Sequence, residues 1–172
     1  MVHNALIDIL NFKSKVLASR WKDLIRKSPH LRHYNNLSDD MLIKIDSPIY
    51  PQLARTLDRG LDRSIVGDFF VRIGKEGQKR NFPISEMVYA VKLNQQMLLE
   101  YIESEFILDN PVTMYQTLSI VPKVADFFLL GVFYLNKGYN EQTYITMNLQ
   151  EKVSEELLRK CFKDDFFFKK DG

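Results

Sequence analysis

GKEGQKRNFPISEMVYAVKLNQQMLLEY, residues 74–101, followed at a distance by VADFFLLGVFYLNKGY, residues 124–139, decides the fold. In the first stretch Ile84, Met87, Val88, Val91, Leu98, Tyr101 and Ile102 share one helical face, with Glu86, Lys92, Gln96, Glu100 and Glu103 opposite. Pro83 stands where a first turn tolerates it, and good helix formers fill the interval, so the pattern predicts one amphipathic helix over residues 84–107. The second stretch lies in a dense apolar segment from Val112 to Lys137, and residues 127–135 are apolar on every side. A helix of that composition is central to its domain or buried at a subunit interface. Pro122 predicts a kink, and Lys137-Gly138-Tyr139 a bend or an end.

Working outward, Asn81-Phe82-Pro83 breaks a preceding helix over residues 62–78, with Ile65, Phe69, Val71 and Ile73 apolar. Gly60, Gly67 and Gly74 are seven apart, which puts Gly67 and Gly74 on one side, where a neighbouring helix can approach closely. Upstream, Ser47 as N-cap and Pro48 as first residue predict a helix to about Arg59, with Leu53, Leu57 and Leu61 as its stripe and Gly60 as its stop. Ser38 predicts the N-cap of a short helix over residues 39–45. Leu6, Ile7, Leu10, Val16, Leu17, Trp21, Leu24 and Ile25 give one first helix, closed by Ser28-Pro29. Beyond Asn140 the composition shifts to a charged helix with the narrow seam Leu149, Val153, Leu157 and Cys161. The chain then ends in Phe166, Phe167 and Phe168, a tail expected to dock on its own domain or on a partner. No alternating strand run, repeat or low-complexity block occurs. The expectation is an all-α helical bundle of about six helices with two long central ones, residues 1–147, followed by a C-terminal helix and aromatic-basic tail, residues 148–172.

The bulk properties agree. The 172 residues suit one domain with a sizeable core. Twelve Phe and eight Tyr against seven Gly and six Pro favour helices over a many-stranded sandwich. A formal net charge of +2, without a run of like charge, gives no electrostatic footprint for nucleic acid. The single Cys161 excludes an internal disulfide and fits a reducing compartment. The N-terminus lacks a cleavage site of small residues, and residues 127–135 are about half a bilayer span. A cytoplasmic protein that does not engage a membrane is expected.

Few residues carry chemistry. Residues 73–78, IGKEGQ, resemble the GXXG loop of nucleic-acid-binding KH domains, but no flanking strand pattern accompanies them, and a helix explains both glycines. His30 and His33 have metal-ligand spacing without a Cys or carboxylate to complete a set, so neither metal nor cofactor is expected. Asp126 has no positioned partner for acid–base work. With no P-loop, zincin motif or nucleophile elbow, the chain is not expected to be an enzyme. Asn94 and Gln95 interrupt the apolar stripe of the long helix. They either line a small ligand pocket together with Tyr101 or form a satisfied amide pair. Phe127, Phe128, Phe133, Tyr134 and Tyr139 are the candidate interface residues if that segment is not wholly core.

The order of these features resembles the N-terminal domain of RsbRD-type RsbT co-antagonist proteins, an input module of bacterial stress and two-component signalling. Three stretches carry the resemblance across about residues 4–145: SRWKDLIRKSP at 19–29, VRIGKEGQKRNFPISEMVYAVKLNQQML at 71–98, and VADFFLLGVFYLNKGYNE at 124–141. Relatives often carry an arginine after the apolar start of the long helix, where this chain has Asn94, Gln95 and Gln96. The resemblance implies an all-helical, non-catalytic sensory module that binds a protein partner or forms a homodimer, with a small-molecule signal as an option. It implies no catalytic residue. From the residues themselves, the alternative is a small-molecule-binding helical protein with an apolar pocket between the two long helices.

Overall fold

The computed structural model describes residues 2–106 and 111–149, with Glu156, Leu157 and Lys160. Cys161, the three Phe residues of the tail and most of the seam after Leu149 lie outside the described residues. Those described form eight helices and no strand, an all-α bundle as the periodicity predicts: α1 Val2–Phe12, α2 Ser14–Lys27, α3 Arg32–Asn35, α4 Asp39–Asp46, α5 Ile49–Arg59, α6 Arg63–Lys79, α7 Ile84–Phe106 and α8 Pro111–Leu149. The number exceeds six because the first helix divides and the four-residue α3 is added. The chain clusters into two compact units. The first takes the residues up to Asp62 with Tyr89–Leu129, and the second Arg63–Val88 with the residues from Leu130 onward, so α7 and α8 each contribute to both.

In the first unit, the expected single helix breaks at Lys13, whose backbone leaves the helical region at φ −112°, ψ 20°. No proline or glycine stands there. The two halves serve different neighbours: α1 packs on α5, burying Leu6 and Leu10, and α2 packs on α4, burying Leu17, Trp21 and Ile25. Tertiary packing therefore overrides a continuous local pattern. The Trp21 indole Nε1 donates to the Ala90 carbonyl at 2.9 Å, tying α2 to α7. Arg26 clasps the turn before α4 through the carbonyls of Asn35 and Leu37 and the carboxylate of Asp39. Ser38 caps α4 as expected, its hydroxyl accepting from the Met41 amide at 3.3 Å. At the next start Pro48, rather than Ser47, occupies the cap position, without a side-chain cap bond. Gly60 ends α5 at φ +87°, a conformation in which a β-carbon is strained.

In the second unit, α6 ends in a Schellman turn. Asn81 takes φ +59°, Phe82 N bonds Gly77 O, and Asn81 N bonds Gln78 O. Both glycines of the KH-like motif lie inside α6, as the helical reading of that stretch has it. They serve packing. A β-carbon on Gly74 would stand 2.1 Å from the Leu135 carbonyl oxygen, and one on Gly138 would stand 2.1 Å from that of Val71. Gly67 faces the Tyr134 ring. The close approach expected at Gly67 and Gly74 is present, and it explains why α8 does not stop at Lys137-Gly138-Tyr139. Gly138 there admits the backbone of α6 and leaves the helix running to Leu149. Lys75 Nζ and Glu141 Oε1 pair at 2.7 Å, with the Glu141 side chain only 3% exposed.

Candidate functional site

Within the first unit, three polar side chains meet in an apolar core. Asp46, the last residue of α4, is 1% exposed and follows the buried Leu42 at i+4, so the same helix face carries both inward. The Tyr50 hydroxyl, at the start of α5, donates to Asp46 Oδ2 at 2.5 Å. Asn94 of α7, itself fully buried, donates from Nδ2 to Asp46 Oδ1. Asn94 interrupts the α7 stripe because it answers a carboxyl on another helix. Burial pushes the Asp46 carboxyl up to about 7, against the opposing hydrogen bonds from Tyr50 and Asn94. The Tyr50 phenol is raised by burial and by Asp46. Asn94 Oδ1 and Gln52 Oε1 are buried with no hydrogen-bond partner among the described residues.

The three residues expected to share a pocket do not converge. Gln95 is half-buried, accepts from Lys92 Nζ and lines an open groove of about 380 Å³ with Tyr89, Gln96, Glu100 and Glu103. Tyr101 lines another, of about 420 Å³, with Arg20, Asp23, Lys27, Met97 and Ser104. Arg20 lies over the Tyr101 ring, 4.9 Å from its centroid. The Tyr101 phenol is raised by burial and by Glu105, with Arg20 opposing. Asn94 reaches neither groove. Gln95 is turned about 100° around α7 from Asn94, whereas Tyr101 is nearly in line with Asn94 but stands two turns, about 10 Å, further along the helix.

Along α8 the expected interface residues divide by depth. Phe127 and Phe128 are fully buried and meet edge to face at 5.3 Å, so they are core. Tyr134 is half-buried against Gly67, and Tyr139 donates from its hydroxyl to the Phe82 carbonyl at 2.9 Å. Phe133 is 52% exposed, with Lys137 over its ring. In the first unit, Tyr115, Leu118 and Leu129 are 78%, 53% and 67% exposed, and the exposed Pro122 lies between them. The steps 115, 118, 122 and 129 are those of a coiled-coil seam. Sequence reasoning missed this face, although its three-four spacing was there to count.

No family model, curated protein or solved structure matches the chain.

His30 packs edge to face on Tyr89 at 5.6 Å, and no group of three or more metal-ligating side chains occurs among the described residues. By length and composition alone, α8 is long and apolar enough to cross a membrane, which residues 127–135 by themselves are not. Asp46, missed in the sequence because Asp46-Ser47-Pro48 reads as a helix start, is the one carboxyl of α4 placed in the core.

Proposed function

We propose that the chain is a non-catalytic sensory or protein-interaction module of bacterial signal transduction, cytoplasmic in location, whose docking face lies on α8. The observation that carries this reading is the exposed apolar seam of Tyr115, Leu118, Pro122 and Leu129. Large side chains left in water at heptad spacing fit a partner helix, because each is a knob for which a second helix supplies the hole. The occupant is α8 of a second copy in antiparallel orientation. Lys123 and Asp126, both exposed, flank the middle of the seam. A twofold axis between them sets each lysine against the second copy's aspartate, whereas parallel pairing in register sets like against like. The resemblance to RsbT co-antagonist input domains supports the signalling class.

Native mass spectrometry of the full chain, beside Leu118→Asp and Leu129→Asp, tests this. A dimer that becomes a folded monomer in both variants is expected. A monomeric wild-type chain at micromolar concentration overturns the second-copy reading. A stoichiometric small molecule on that monomer favours the ligand-binding alternative. Recovery of the chain with membranes after alkaline extraction overturns the location.

A further inference from the structure

A carboxyl buried at a helix C-terminus normally has a cation opposite it, because the last carbonyls of the helix already place negative charge there. Asp46 has two neutral donors instead, the Tyr50 hydroxyl and the Asn94 amide. The charged groups on the elements around it stand elsewhere. Lys44 on α4, Arg55 and Asp58 on α5, and Lys92 on α7 are exposed, while Lys22 and Arg26 of α2 engage Asp39 at the far end of α4. Asn94 Oδ1, on the amide that already donates to Asp46, is buried and lacks a donor. A carboxylate offers only acceptors, and a carboxylic acid offers one O–H. A proton on Asp46 turns one acceptor of this acceptor-rich trio into a donor.

We propose that Asp46 is held protonated in this fold, and that release of its proton makes the packing of α4 and α5 on α7 within the first unit sensitive to pH across neutrality. Fully burying the anion among neutral groups is unfavourable, so ionisation must loosen the trio or admit water. The direction of the carboxyl's shift, upward through burial to about 7 from an ordinary 3.8, agrees with the geometry. Between those values the folded chain binds more protons than the unfolded one. The stabilising effect is complete below about 3.8 and is lost as pH rises through 7.

The test uses the whole chain. A carbon-13 NMR titration of the side-chain carboxyls in the wild type should show one midpoint near neutrality, removed by Asp46→Asn, whose amide is neutral at every pH. Folding equilibria of the two proteins should diverge, the wild type losing roughly a hundred-fold relative to Asp46→Asn between pH 5 and 8. Amide exchange in residues 42–50 and 90–98 should quicken over the same interval in the wild type alone. Parallel pH profiles for the two proteins, or all carboxyl midpoints near the ordinary value, overturn the proposal. Should Asp46→Asn fail to fold, the wild-type titration decides by itself. None of these readouts requires the α8 seam to be occupied, so the two proposals fail separately.

Discussion

Gly74→Ala measures the helix crossing in the second unit, because the new methyl meets backbone that has no rotamer to escape into. The added carbon would lie 2.1 Å from Leu135 O and 2.8 Å from Tyr139 N. Carbon–oxygen contacts between packed helices settle at about 3.3–3.6 Å, so α6 and α8 must part locally by roughly 1 Å. Overpacking of this kind costs about 1–3 kcal/mol, and the rigidity of both partners puts the value near the top of that range. Replacing glycine inside a helix returns about 1 kcal/mol through backbone entropy. The net expectation is a loss of about 2 kcal/mol, or a melting temperature lower by about 4–8 °C for a chain of this size. Thermal unfolding followed by circular dichroism at 222 nm reads it. Gly77→Ala is the control on the same helix, since its methyl meets only the Met87 thioether end, which can rotate away. It should change stability by less than about 1 kcal/mol. A Gly74→Ala protein that melts at or above the wild type refutes the argument that backbone contact dictates glycine at this position.

Two further outcomes follow from single interactions. Lys75→Met removes the ammonium that bonds the buried Glu141 carboxylate at 2.7 Å. A loss of about 2–4 kcal/mol is expected, largely recovered when Glu141→Leu is added, and a double mutant no better than the single refutes the pairing. Trp21→Phe deletes the indole donor to the Ala90 carbonyl inside the core of the first unit. It should lower stability by about 1–3 kcal/mol in denaturant titration, and an unchanged midpoint would show that the bond contributes nothing.

The legible part of this protein was local. Three-and-four spacing of apolar residues gave every long helix, Ser38 announced the cap of α4, and Gly60 announced the end of α5, because each is settled within a few residues of chain. The candidate site was legible only in half. Asn94 stood out as a polar residue on an apolar stripe, but its partner Asp46 lies 48 positions away and its local sequence reads as a helix start.

What the sequence by itself determined is therefore the class: helices, their approximate limits, and an apolar surplus too large for one face of α8. Only the tertiary structure decided which of those surfaces meet. It broke a seamless periodic pattern at Lys13 so that α1 and α2 could serve α5 and α4. It converted Gly138 from a turn signal into a point of close packing in mid-helix, against the backbone of Val71. It also separated Phe127 and Phe128, wholly buried, from Leu129, left in water one residue later. The reason is physical. Helix propensity and capping act over one or two turns, whereas burial depends on which elements the chain brings together, and neighbouring residues on one helix differ by 100° in what they face.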